Sequence, residues 1–160
     1  MSDYERTIED NVREHGWFCV AVVDPEGNDP AFAYSVGFNE TLGTPEVIVF
    51  GLDHELMHAM LWTAFRQVRE GRALHDGDRW GGLLDGFDCI LKTVDPTNIV
   101  PEYFNSAIWY HGDPATHGLL EASQIVWPDA DTGRFPWDPG CPPLVRELQP
   151  ALYPPASRRH

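Results

Sequence analysis

The segment Trp17-Phe18-Cys19-Val20-Ala21-Val22-Val23 is a dense run of β-forming residues cut off by Asp24-Pro25-Glu26-Gly27-Asn28-Asp29. A run of this kind ending in a turn cluster is a strand, and its partner must follow within a few residues. Ala31 to Gly37 reads as that returning strand. A loop through Asn39 and Gly43-Thr44-Pro45 then leads to a third strand, Glu46 to Gly51. Three strands joined by turns, with no helix between them, predict an antiparallel meander rather than βαβ units.

Helical periodicity frames the meander. Asp3 is placed to cap a helix in which Tyr4, Ile8 and Val12 recur on one face and which Gly16 ends, over residues 1–15. Asp53 caps a longer helix running to about Glu70, with Gly71 as its stop; Met57, Met60, Leu61, Ala64, Phe65 and Val68 form its apolar stripe. Residues 75–86, rich in Gly and Asp with Trp80 among them, read as a loop. Phe87 to Val94 reads as a fourth strand, Pro101 opens a short helix through Trp109-Tyr110, and Gln124 to Trp127 reads as a last strand. The fold class expected is α+β in a single domain spanning 1–160. It holds a mostly antiparallel sheet of four to five strands, one long helix and two shorter ones. Prolines crowd the chain from Pro128 onward, so 128–160 is expected to be an extended Pro-rich cover packed on the domain by Trp137, Leu144 and Leu152.

At 160 residues the chain is long enough to bury a core unaided. It lacks a bilayer-length apolar run and the basic, apolar start of a signal peptide, which points to the cytoplasm. Its formal charge of −14 repels phosphate backbones and anionic lipid. Nucleic acid and membrane are therefore not expected as partners, whereas a basic protein, a small molecule or a peptide is compatible. Cys19, Cys89 and Cys141 form no Cys-x-x-Cys pair, which argues against a disulfide scaffold or a thiolate zinc site. Cys19 and Cys89 sit in apolar runs and read as core residues.

Three constellations carry chemistry. The first, His54-Glu55-Leu56-Met57-His58, has H-E-x-x-H spacing. On a helix both imidazoles would face one zinc ion while Glu55 polarises its water, with His75, Asp76 or Asp78 as further donors. The helical wheel also has a plainer reading. His54 and His58 flank the Leu61/Phe65 edge and Glu55 falls on the polar side, which needs no metal. The second is Trp127-Pro128-Asp129 with Phe135-Pro136-Trp137-Asp138: tryptophans beside rigid prolines wall a pocket, or clamp the tail while the aspartates cap turns. The third is Tyr34-Ser35-Val36-Gly37, where Gly37 permits close approach of a ligand or of backbone. Tyr34, Trp127, Asp129 and Trp137 are thus expected to line a pocket. Residues 101–111 are either its opposite wall or an amphipathic helix docked on the sheet, and His111 and His117 read as solvent-facing. Flavin is less well provided for than zinc, because Arg79 and Lys92 are thin provision for a phosphate.

His15-Gly16-Trp17, the run Phe32 to Phe38, the run Pro45 to Leu52, Val126-Trp127-Pro128-Asp129 and the run Gly133 to Gly140 occur in one order. In this the chain resembles the bacterial family labelled domain of unknown function 4262, over about residues 15–150. The resemblance implies one domain that includes the C-terminal segment, and it implies no catalytic residue.

The readings for function are therefore three. The first is a small-molecule or peptide-modifying enzyme, or a ligand-binding protein, with a cleft between sheet and long helix and His54, Glu55 or His58 as its chemical groups. The second is an acidic interaction module of the immunity or adaptor type. The third is a zinc hydrolase built on His54 and His58.

Overall fold

The computed structural model describes residues 1–155. The first helix, α1 (Asp3–His15), is capped one residue earlier than Asp3. The Ser2 hydroxyl accepts from the Glu5 amide (3.1 Å) while the Glu5 carboxylate accepts from Ser2 N–H (2.9 Å). This reciprocal box satisfies two otherwise orphaned donors, which Asp3 alone would not do. Gly16 ends the helix at φ +91°, where a side chain would strike Phe65.

The meander forms as expected. Strands β1 (Phe18–Val22), β2 (Phe32–Val36) and β3 (Glu46–Phe50) pair antiparallel in sequence order. The link from β2 to β3 is not only loop, because Phe38–Leu42 closes one helical turn and a half, α2. Asp53 caps α3 (His54–Arg69) by accepting from Glu55 N–H. Half of the expected loop over 75–86 is in fact strand. There β4 (Arg79–Leu84) turns at Asp85-Gly86 into β5 (Phe87–Thr93), burying Trp80 and Leu83 on the way. A 3-10 turn at Pro96–Asn98 leads to α4 (Pro101–His111), and a short α5 (Pro114–His117) precedes β6 (Ala122–Val126).

The larger correction concerns topology. Among the described residues the sheet has six strands in the order β1-β2-β3-β6-β5-β4. The last strand inserts at the centre, parallel to β3 and antiparallel to β5, so the sheet is mixed. The result is one α+β domain with six α-helices among its described residues.

Both sheet faces are covered, and strand alternation decides which residue serves which side. Ala33, Val47, Val49, Leu91 and Ile125 meet α3 through Met60, Leu61, Ala64 and Phe65. Their neighbours Tyr34, Val36, Ile48 and Ala122 meet Ile8 and Val12 of α1 and Phe104 and Ala107 of α4. This two-sided burial explains why β2, β3 and β6 are buried along their whole length rather than at alternate residues.

The residues after β6 are held by two buried glutamines. Gln124 in the central strand donates to the Pro150 carbonyl (2.9 Å) and accepts from Leu152 N–H (3.0 Å). Gln149 likewise brackets the backbone of Trp127, accepting from its N–H and donating to its carbonyl, both at 2.9 Å. The segment is not extended throughout, since Pro143–Leu148 forms a helix, α6. The last five residues of the expected cover, 156–160, lie outside the described residues. Among the described residues no helix is long and apolar enough to cross a membrane.

Candidate functional site

The turn from β2 into α2 holds the most unusual group of the molecule. Gly37 adopts φ +110°, and a Cβ there would lie 3.0 Å from the Gly16 carbonyl oxygen, so the close approach suspected at this glycine is one of backbone to backbone. The turn aims three successive amides, those of Gly37, Phe38 and Asn39, at the carboxylate of Glu46 across the hairpin (3.0, 3.1 and 3.2 Å). The Ser35 hydroxyl adds a fourth donor at 2.6 Å and itself accepts from Val47 N–H. Four donors fill the lone pairs of one carboxylate, which favours its charge, but the residue is only 3% exposed. Burial outweighs the donors and pushes the carboxyl up to about 7.

Glu46 forms part of the wall of a cavity of about 380 Å³ between the β2–α2 turn and the C-terminal end of α4. Tyr110, the last turn of α4, donates its hydroxyl to Glu40 across the mouth (2.7 Å). Burial and the facing Glu40 carboxylate both raise the Tyr110 phenol, so it stays protonated and remains a donor. His111 and His117 complete the rim, their rings 6.1 Å apart. His111 Nε2 lies 2.9 Å from the Gly118 carbonyl, which can only accept, so that nitrogen carries the proton. In the neutral ring Nδ1 is then the open acceptor. One side of the cavity therefore holds a titrating carboxyl, and the other a neutral donor and an imidazole.

The residues singled out by sequence do not meet here. Tyr34 is buried under α4, where a break in helical geometry at Phe104 (φ −135°, ψ 28°) turns the Ser106 amide toward the tyrosine hydroxyl (2.9 Å). Trp127 packs on the opposite face and donates Nε1–H to the Phe50 carbonyl (2.8 Å). Asp129 accepts from both the amide and the hydroxyl of Thr132, and Asp138 accepts from the Phe135 amide, so both aspartates organise turns. Trp137 stacks on Phe135 (5.3 Å between centroids) under Lys92. These four residues are spread over two faces and the tail; they do not line one pocket. Arg79 and Lys92, weighed for a flavin phosphate, lie over Phe135 and over Trp137 and Tyr153.

His54, Glu55 and His58 stand exposed on the first turns of α3, the two rings stacked 6.5 Å apart. Asp76, weighed as a further ligand, accepts from the Thr93 amide. Among the described residues no three His, Cys, Asp or Glu side chains are grouped to share an ion. Cys19 and Cys89 are thiols pushed up to about 12 by burial, which suits core packing rather than nucleophilic work.

Sequence reasoning passed over Glu46 and His117 as site residues, and placed Tyr110 and His111 only within the 101–111 segment as a candidate pocket wall. The one available signal was a charged residue opening an otherwise wholly apolar strand, because a carboxylate there must be paired or exposed.

Comparison with known proteins finds no match among curated proteins or solved structures. The family described as a domain of unknown function, DUF4262, matches residues 11–142. That span contains the β2–α2 turn, Glu46 and both rim histidines, so the chain, candidate site included, belongs to the DUF4262 family.

Proposed function

We propose that the cavity beside Glu46 binds a small polar molecule and exchanges a proton with it. The observation that carries this reading is a fully buried carboxyl, raised to about 7, in the wall of a solvent-reachable cavity. A carboxyl poised near neutrality both gives and takes a proton at physiological pH, which is what general acid–base catalysis requires; the part-buried Asn39 amide is the donor placed to leave Oε2 when the proton arrives there. His111 Nδ1 supplies a second proton acceptor, while Glu40 and Tyr110 fix a hydroxyl or amine at the mouth. With two carboxylates facing it, the cavity suits hydroxyl- and amine-bearing molecules and disfavours carboxylates.

Ethanolamine is a suitable probe. Saturable shifts of the Asn39, Ala107 and His111 amides are expected on its addition, with none on addition of acetate. Tyr110→Phe removes a charge-assisted bond at the mouth and is expected to change the ethanolamine affinity by about tenfold at most. Equal response to acetate, or no response at these amides, contradicts the reading.

A second reading, the acidic interaction module, is favoured by a smaller cavity of about 220 Å³ beside the end of β1. Asp24, Asp29 and Glu102 surround Phe32 and Tyr103 there, a setting for a lysine or arginine side chain of a basic partner. Binding to such a partner would weaken steeply with added salt.

A further inference from the structure

Among the described residues the sheet ends in β1 on one side and β4 on the other, and the two edges are built differently. The β4 edge carries the devices that keep edge strands from pairing with other chains. Arg79 opens it, Gly82 sits in it at φ +87°, and its pairing with β5 loses register between Trp80 and Leu84. The β1 edge has none of these. Residues 17–23 hold no charge, no proline and no glycine, and the pairing of β1 with β2 runs unbroken from Phe18 opposite Val36 to Val22 opposite Phe32. Among the described residues no backbone hydrogen bond reaches Phe18–Val22 from the side away from β2. A row of N–H and C=O groups is therefore left unpaired along that side. Beside it Ala21, Val22 and Val23 are exposed, Val23 to 63%.

The cavity of about 220 Å³ lies at the open end of this edge, where Val22 and Val23 form part of its wall. Asp29 and Glu102 stand at the half-buried Tyr103: burial raises its phenol, and these two carboxylates beside it raise it further. Asp24 accepts from the amides of Glu26, Asp29 and Asn28, all at 3.0 Å, which lowers its carboxyl and keeps it charged. No Lys or Arg lines this cavity, and among the described residues none of its three carboxylates is in a salt bridge. An unpaired strand edge thus runs into a place that is short of one cation.

From these we infer that β1 takes an added strand: an extended segment of a basic partner pairs with its outer edge and lays one lysine or arginine into the cavity beside Val22. Val22 lies opposite Phe32 in the ladder and shares its face, so a side chain set against Val22 on the added strand points the same way, toward the carboxylates. The main chain supplies the affinity and the cation the specificity. A second copy of the chain suits the edge less well, because two molecules of net −14 repel and residues 17–23 offer no cation. The inference rests on the interaction-module reading of this cavity and adds how the partner is held.

The test is amide hydrogen exchange over residues 18–23 during titration with a short capped peptide of alternating threonine and valine with one central lysine. The outward amides are expected to gain protection saturably, by about tenfold or more at full occupancy. Glutamate in place of the lysine is expected to weaken binding by about tenfold or more. Methylating the backbone nitrogens along one edge of the peptide keeps its side chains, removes the pairing and should abolish binding. Ala21→Lys puts a like charge on an exposed edge position, so the fold is retained while binding weakens severalfold. Asp29→Asn together with Glu102→Gln, both exposed, should lower affinity for the lysine peptide by about tenfold and leave a version with threonine in place of lysine unaffected. No gain of protection over residues 18–23 would overturn the inference. If the Asp29 and Tyr103 resonances still respond to the lysine peptide, the basic-partner reading of the cavity stands and only strand addition is lost. Protection that the protein alone acquires as its concentration rises would give the edge to a second copy, which also overturns the inference.

Discussion

Replacing Glu46 by alanine is expected to cost the fold about 4 kcal/mol at pH 7, measured by urea denaturation, because two buried amides, the part-buried Asn39 amide and one hydroxyl lose their acceptor together. Each such group left unsatisfied costs about 1–3 kcal/mol, and water entering from the adjacent cavity offsets part of the sum. Glu46→Gln is expected to cost about half as much. One amide oxygen still accepts, but the NH₂ must face at least one backbone N–H, and two donors cannot satisfy each other.

The same residue gives a pH signature of definite sign. Its carboxyl titrates at about 7 in the fold against 4.5 as an ordinary carboxyl, so the folded state holds the proton more tightly. The stability this contributes is fully present below pH 4.5 and is lost as pH rises through about 7. The gap corresponds to about 3 kcal/mol. Wild-type stability should therefore fall across that window relative to Glu46→Gln, whose side chain does not titrate. The advantage of wild type over Gln shrinks as pH rises. A difference between the two proteins that stays constant from pH 4.5 to 7.5 would contradict burial as the dominant influence.

Gly51→Ala is the second substitution with a large expected effect. Gly51 sits at φ +80° just after β3, and a Cβ there would lie 2.5 Å from the Leu148 carbonyl oxygen and 2.8 Å from Leu148 Cβ. Backbone cannot swing aside as a flexible side chain can, so the end of α6 must move. The left-handed conformation alone costs an alanine about 1–2 kcal/mol, and the displaced contact brings the total to about 3 kcal/mol. Gly27→Ala is the matched control, with φ +72° and nothing within 4 Å of its Cβ, and should lose only the conformational part. The segment after β6 should also become the first site of proteolysis in Gly51→Ala and not in Gly27→Ala. Equal losses in the two variants would show that the contact with α6 has no energetic weight.

Much of the fold was legible because its signals are local. The apolar stripe of α3, the Gly16 stop of α1 and the turn cluster after Val23 each act within a few residues, and all three elements stand where they were expected. The strand β4 was missed because Gly81-Gly82 interrupts its pattern, and Gly82, at φ +87°, sits where the pairing with β5 loses register. Asp85-Gly86, two residues between Leu84 and Phe87, was the hairpin signal available. The parallel insertion of β6 beside β3 has no local signature, since both strands are buried on both faces and would suit any central position.

The candidate site was less legible than the fold, and the reason is again distance. Glu40, Glu46 and Tyr110 come from α2, β3 and the end of α4, and nothing in their spacing shows that they converge. The H-E-x-x-H pattern, conspicuous as a string, lies where the helix surface faces solvent. The quieter feature was a single glutamate at the head of an apolar strand.

Site-resolved titration of the Glu46 carboxyl by carbon-13 NMR tests the proposed site most directly. A midpoint near 7, shifted on addition of ethanolamine, is the expected result. A midpoint at or below 4.5, indifferent to the probe, would mean that the four donors only hold the turn closed and that the cavity has no acid–base group.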